Sequence, residues 1–541
     1  MSCPVNTYSL DNSSTTCTPC PEKGAYCAGG TRLYPLAGWW HSTPFSTQFH
    51  RCPTPDACLP GGAAACAEGH EGNLCMSCSK GYAASFASSK CGRCNSRGKI
   101  IATYLGAVIV LVLLVLLSLH FALRENVATD NHSSRSSQFC KLLIRHAQYL
   151  LIVGSLKVSW PDSMQAAFTL VNWVFSLGGP QVASLDCLLA AAKPLAMPLA
   201  IKRVLINLFA PLGVGLVVVL LWLLMFNAFV WCGKPLSYHA DFSNLRSVLP
   251  VCALVCLSFF LPWLVRIGLG FFACISIDKP NSQYAISNAK HGYFASSIEQ
   301  ACYTGWHRKY ALSLGVITFL MFCVGVPVGL WVLLYRNRSK VDAPTPSRLS
   351  FLYRAYRPQQ YYYEVVVTLQ IVAGMAISVF SLSLGSFYAL LLLNTAFVLF
   401  GSMELLLKPY VCPIVQRMSL MSCACLYFTT QMSLTIFPTG SVSAPDMYMD
   451  IAGVLGMLVN LAFVLACLAC MVSHNPAANR IWARVLACFG LQRKGKGAKP
   501  MLNQPAAPLP AQLEQRTGPR EAPRSTTPWV PHTVAAAAPT V

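Results

Sequence analysis

The sequence predicts an all-α polytopic membrane protein of about nine transmembrane helices, preceded by a small disulfide-rich N-terminal ectodomain. Three observations predict it. Of 541 residues, 55% are hydrophobic and only 11% charged, well under the roughly one quarter that a soluble globular surface carries. Apolar runs of membrane-crossing length recur between residues 100 and 473. Cysteine is concentrated at the start: eleven of the 25 fall within the first 99 residues. The balance is basic, 40 Lys and Arg against 19 Asp and Glu. These charges sit between apolar runs and in the tail rather than on one face, which argues against a nucleic-acid partner.

Residues 1–99 are rich in Gly, Pro, Ser and Ala and lack long apolar periodicity. Such a segment cannot bury enough surface to fold on a core alone and needs covalent or metal staples. Cys17, Cys20, Cys27, Cys52, Cys58, Cys66, Cys75, Cys78, Cys91 and Cys94 are the disulfide candidates here. The pairs Cys75/Cys78 and Cys91/Cys94 also approach a zinc-ribbon spacing. Cysteine density favours an oxidised module over metal. The count is odd, and Cys3 lies two residues from Met1 with no signal-peptide pattern before it. Either the first span carries its own N-terminus outward or the chain starts inside a longer ectodomain, the second being preferred. Asn12 opens a glycosylation sequon.

The first span runs from Ile100 to about Leu123, without a charge. Seven more follow at roughly 204–231, 248–277, 311–335, 364–384, 386–407, 418–437 and 451–473. Two weaker segments lie between the first and second. Residues 142–160 contain Arg145 and Lys157, and residues 163–185 are broken by Gly178, Gly179 and Pro180. Charge bias fixes the parity. The loop 336–361 holds Arg336, Arg338, Lys340, Arg348, Arg354 and Arg357, and the tail beyond 473 is basic as well. Both belong in the cytoplasm by the positive-inside rule. An outside head and an inside tail need an odd number of crossings, so nine are expected, with 142–160 as the ninth and 163–185 re-entrant or on the surface. Cys187 and Cys302 then share the outer side and can pair with each other, or serve as small apolar fillers.

The domains are therefore 1–99, a cysteine-rich head; 100–475, the membrane region; and 476–541, a basic interfacial helix with a disordered Pro/Ala-rich tail. That helix sets Trp482, Val485, Leu486 and Phe489 against basic residues, the pattern of a segment drawn to anionic inner-leaflet lipids.

There is no Walker loop, G-x-S-x-G, H-E-x-x-H or kinase pattern, and the acids are too scattered for a paired-carboxylate site. An enzyme is not expected, and neither a metal nor a cofactor. The ionisable residues at membrane depth are more informative: Arg266 after Pro262-Trp263, Glu364 in YYYEVV and Glu404 in SMELLLKPY. A charge in hydrocarbon costs several kcal/mol and turns toward a polar interior, a partner or an ion path. The plain alternative puts both glutamates at the interface, paired with Arg357, Lys408 or Arg417. Arg266 then snorkels or forms a structural pair.

The order of motifs carries a resemblance. CAEGHEGNLCMSCSKGY precedes the first span; HAQYLLIVGSLKVSWPD, SLDCLLA and FFLPWLVR follow, then ACYTGWHRKY, FLYRAYRPQQYYYEVV and LLLKPY. Over about residues 50–475 the chain resembles multi-pass proteins of green algae and other protists. These join an EGF-like or ephrin-receptor-like cysteine-rich ectodomain to a membrane region similar to transient-receptor-potential-like (TRP-like) channels. The resemblance implies a plasma-membrane protein, channel-like or sensory and in one version cation-conducting. A non-conducting receptor or adhesion protein with an extracellular ligand, and a transporter, are the alternatives. An oligomer is compatible with each.

Overall fold

A computed structural model describes residues 3–10, 16–61, 65–84, 90–127, 131–156, 158, 160–176, 187–189, 197–231, 245–278, 291–340, 349–436 and 446–473. The Asn12 sequon, the basic tail helix and most of the 438–450 loop lie outside the described residues.

The head is a string of two-stranded antiparallel hairpins: Thr7–Tyr8 with Thr18–Pro19, Ala25–Tyr26 with Tyr34–Pro35, and Trp39–His41 with Phe49–Arg51. Two more follow, His70–Glu71 with Ser77–Cys78 and Tyr82–Ala84 with Cys91–Arg93. Isolated hairpins this short are not stable in water. Disulfides hold them: Cys3–Cys17, Cys20–Cys27, Cys52–Cys58, Cys66–Cys75 and Cys78–Cys91.

The structure bears out the oxidised module and corrects two expectations about cysteine. Cys3 is not left over, because it bonds Cys17. Cys75, Cys78, Cys91 and Cys94 do not converge as a thiolate set, since each is bonded elsewhere. Cys187 and Cys302 do not pair. Cys187 bonds Cys94, and Cys302 bonds Cys274. The expected span 248–277 ends early: its helix stops at Gly270, and Cys274–Ile275 is a strand outside it.

Among the described residues, ten long helices follow: α1 Arg97–Val127, α2 Asn131–Gly154, α3 Asp162–Ser176, α4 Leu199–Trp231, α5 Leu245–Gly270, α6 Gly305–Arg336, α7 Tyr363–Val379, α8 Ser386–Leu407, α9 Pro413–Ile436 and α10 Asp446–Ser473. Among the described residues, six helices are long and apolar enough to cross a membrane, those at Arg97–Asn126, Leu199–Met225, Val248–Gly270, Gly305–Arg336, Ser386–Leu407 and Met447–Ser473. This is the helix content of an integral membrane protein.

α1 shows how such a helix is built. Ala107, Leu111, Val115 and Leu119 are buried at a spacing of four, while Leu105, Ile109, Leu113 and Leu117 are exposed at the same spacing. Both stripes are apolar, so one suits protein and the other suits lipid.

α2 is different. Phe139, Leu142, Arg145, His146, Tyr149, Ile152 and Val153 are all buried, and the helix packs against α1, α3, α7, α9 and α10. Surrounded by protein, it needs no lipid-compatible face, and for that reason its sequence is the least apolar of the long helices. α6 departs from α-helical geometry at Ala311–Gly315 and Leu320–Gly325, two π-helical stretches. There Gly268 of α5 lets the backbone of Phe319 approach; a Cβ on Gly268 would lie 3.1 Å from it.

Candidate functional site

The chain builds two polar assemblies, one inside the bundle and one where the head meets it. The first centres on Arg145 of α2, which is only 8% exposed. Its Nη1 donates to the Tyr410 hydroxyl at 2.6 Å. Its Nη2 donates to the Tyr356 hydroxyl at 3.0 Å and reaches Glu364 Oε2 at 3.4 Å. Tyr356 in turn donates to the same Glu364 oxygen at 2.6 Å. Glu404 of α8 is 3% exposed, and its Oε1 accepts from Ser419 of α9 at 2.7 Å. Ser419 also lies 3.3 Å from the Tyr410 hydroxyl. Arg145, Glu364 and Glu404 thus belong to one network.

Local structure aims these groups. The chain reverses after α8 through Lys408, whose φ of 44° is left-handed. That turn brings Tyr410 alongside Tyr356, with Arg357 N–H donating to the Pro409 carbonyl and Val411 N–H to that of Ala355. The rings of Tyr356, Tyr363 and Tyr410 pack around one another, with centroids 5.3 to 6.3 Å apart. The layer above is polar too: Tyr149 donates to Gln370 at 2.9 Å, and His146 Nδ1 lies 2.8 Å from the Ser422 hydroxyl. Asn394–Thr430 and Asn460–Thr429 pairs tie α8 and α10 to α9.

The network holds one guanidinium against two carboxyl groups. Among the described residues Glu404 has no cation in direct contact, and its Oε2, like the Tyr363 hydroxyl, is buried without a hydrogen-bond partner. A second node joins α1 to α2. Glu125, fully buried, accepts from Ser137 at 2.6 Å and from Lys141 at 2.8 Å. Its carbonyl accepts from Arg354 at 2.9 Å.

Glu364 meets Arg145 rather than Arg357, and Glu404 meets Ser419 rather than Lys408 or Arg417. In the sequence Arg145 stands as a lone arginine inside an otherwise apolar periodic run, the available signal for a buried partner. Tyr356, Tyr410 and Ser419 carried no such mark. Arg266 is not brought to this network; its guanidinium lies 5.8 Å from the centre of the Trp263 ring on its own helix.

The second assembly is the seam between the head and the hairpin that joins α5 to α6. Trp40, Cys52, Ala57, Cys58, Leu74 and Cys75 of the head share one buried core with Ile275, Ile277, Tyr293 and Ile298. Asn73 Nδ2 donates to the Ile298 carbonyl at 3.1 Å. Asp278 accepts from the Ser42 hydroxyl at 2.5 Å and lies 2.7 Å from His50 Nε2. Ser383, just beyond α7, donates to the Cys274 carbonyl at 2.6 Å. The head therefore shares its core with the α5–α6 hairpin, and Leu382, in the segment after α7, packs against that core.

A family model described as a domain of unknown function (DUF7630) matches residues 49–94, the stretch that supplies most of the head's side of this seam. No curated protein matches the chain. No solved structure matches it either.

Proposed function

We propose that the chain is a sensory integral membrane protein in which the docked state of an outer cysteine-rich head is passed to the helical bundle. One observation carries this reading: the buried core shared by the head and the α5–α6 hairpin. A module tethered only for adhesion has no need of such a core.

The full reading has nine crossings, the head outside and the tail in the cytoplasm of the plasma membrane. Contacts at the two bundle ends support it. The start of α1, the end of α5 and the end of α7 meet at the head. The end of α1, the start of α2 and residues 350–354 meet at the other end, through Phe351 N–H donating to Asn126 and through Lys141. With α2 as a crossing, the order of ends alternates along the chain. The EGF-like and TRP-like resemblance agrees with this class.

A second reading, cation conduction, is favoured by the surplus carboxyl of Glu404 beside a single Arg145. A transporter or a plain receptor for an extracellular ligand has less support. No enzyme chemistry is proposed.

The test uses the full chain at the cell surface. Cys412, a half-buried free thiol at the rim opposite the head, is labelled from the cytoplasmic side, and whole-cell current is recorded in parallel. Breaking the seam with Asp278→Ala should change Cys412 labelling. Unchanged labelling, with normal surface delivery, removes the sensory reading. A current that vanishes in Glu404→Gln supports conduction, and no current under voltage, stretch or calcium challenge removes it.

A further inference from the structure

We infer that the Glu404 carboxylate and the Tyr363 hydroxyl form an internal site for a small monovalent cation of sodium size, level with Arg145 in the bundle. The inference deepens the conduction reading and rests on it for its role in the cell. Occupancy itself is read on the purified chain.

Packing sets the depth. α2 and α8 run in opposite directions: Arg145 meets Tyr410 beyond the end of α8, while Tyr149 meets Phe397 and Phe400 before it. Phe400 is one turn before Glu404, and Tyr149 is one turn after Arg145. Their rings stack with centroids 6.1 Å apart, so Glu404 and Arg145 share one level. Tyr363 opens α7 beside Glu364, which Arg145 reaches at 3.4 Å. Its ring packs on those of Tyr356 and Tyr410, with centroids 5.3 and 6.3 Å away. Tyr410 in turn lies 3.3 Å from Ser419, the donor to Glu404 Oε1. Of the charges around it, that of Glu404 acts most strongly on the Tyr363 hydroxyl.

Two polar atoms at this level are unsatisfied. Glu404 is 3% exposed and Tyr363 0%. Glu404 Oε2 and the Tyr363 hydroxyl have no hydrogen-bond partner among the described residues, and they do not bond each other. Buried polar atoms in that state are rare and costly. Both carry oxygen lone pairs, which one cation can take together. A proton on Oε2 would cancel the charge, yet it would bring a donor with no acceptor in bonding reach.

The charges point the same way. Among the described residues of the network, one guanidinium serves two carboxyl groups. Arg145 spends it on Glu364, Tyr356 and Tyr410, not on Glu404. Arg357, Lys408 and Arg417 are exposed, where water screens them. A buried carboxylate needs a counter-charge, and a deficit of one selects a monovalent ion. The donors are a carboxylate, a phenol and the Ser419 hydroxyl, a set for a hard cation rather than a soft metal, with water completing the shell. Glu404 lies within the last turn of α8, which ends at Leu407, so the ion enters from the rim opposite the head.

The experiment follows the thermal midpoint of the full chain in detergent at about pH 7.5, as sodium chloride replaces choline chloride at constant ionic strength. The wild-type midpoint should rise saturably, by about 2 °C or more once sodium is in about tenfold excess over its dissociation constant. Glu404→Gln should lose this response while keeping its midpoint in choline. Tyr363→Phe keeps the ring and removes the hydroxyl, so it should need about threefold more sodium or higher. A hydroxyl with only a structural role would leave the sodium dependence unmoved. Should Glu404→Gln fail to fold, Glu404→Asp retracts the charge by one methylene and should likewise need more sodium. Equal wild-type midpoints in sodium and choline overturn the inference, as does a sodium response that persists in Glu404→Gln. Stabilisation by acid in choline, with no response to sodium, makes the proton the occupant and also overturns it. Sodium-dependent stability without current leaves the site standing and removes the conduction reading alone. A current abolished by Glu404→Gln, with no sodium response, does the reverse.

Discussion

Arg145 Nη2 lies 3.4 Å from Glu364 Oε2 across the packing of α2 against α7, and Tyr356 bonds both partners at 3.0 and 2.6 Å. The arrangement is a hydrogen-bonded triangle rather than a bare ion pair. Such satisfaction is what makes a buried charge tolerable, since attraction alone rarely offsets desolvation. The same geometry makes the site intolerant of losing one member.

Arg145→Gln leaves Glu364 without its cation and removes the guanidinium from the network that also reaches Glu404. The expected loss of stability is about 3–5 kcal/mol, read as a fall in thermal midpoint of the detergent-solubilised protein. Arg145→Lys should recover little, because one ammonium cannot serve Tyr410, Tyr356 and Glu364 in the fork that a guanidinium provides. Arg145→Gln combined with Glu364→Gln should be more stable than Arg145→Gln alone. If the two effects simply add, the coupling drawn here is wrong.

Glu404 and its donor should behave asymmetrically. Ser419→Ala removes the bond to Oε1 and strands a buried carboxyl, costing about 1–3 kcal/mol. Glu404→Gln keeps the shape, sheds a group that has no cation in direct contact, and should cost under about 1 kcal/mol or stabilise. Unfolding of the two variants side by side checks the order, and a larger loss for Glu404→Gln would contradict it.

Class and span positions were legible in the sequence because lipid demands long apolar runs, and α1, α4, α6, α8 and α10 meet that demand plainly. α2 carries little hydropathy signal, since a helix enclosed by protein keeps Arg145, His146 and Gln148. Glu364 and Glu404 stood out as charges at membrane depth. Their partner did not, because the contacts from Arg145 to Tyr410 and Glu364 span 265 and 219 positions of chain. Disulfide partners were equally hidden: cysteine spacing reports density, while pairing depends on where α5 stops.

The disulfide map is directly testable. A non-reducing peptide map should join Cys94 to Cys187 and Cys274 to Cys302. Removing Cys94–Cys187 by paired serine substitution frees a loop of 93 positions and should cost about 2–4 kcal/mol. Recovery of a Cys187–Cys302 peptide would refute the assignment.

The α5–α6 hairpin stapled by Cys274–Cys302 gives the last prediction. Gly292 sits at φ +74°, where an L side chain is strained, and a Cβ there would lie 2.4 Å from the Ile275 carbonyl oxygen. Neither the backbone nor that oxygen can yield, because Cys274–Ile275 pairs with Tyr293–Phe294 and Ile275 is part of the core shared with the head. Gly292→Ala should therefore cost about 2–4 kcal/mol and loosen the head as well as the hairpin. Gly106→Ala in α1 is the control: nothing lies within 4 Å of its Cβ position, and alanine is the better helix former by about 1 kcal/mol. Thermal unfolding should rank Gly106→Ala at or above wild type and Gly292→Ala well below it. Exchange in segment 39–51 should rise only in Gly292→Ala. Equal behaviour of the two variants would mean that the hairpin does not hold the head.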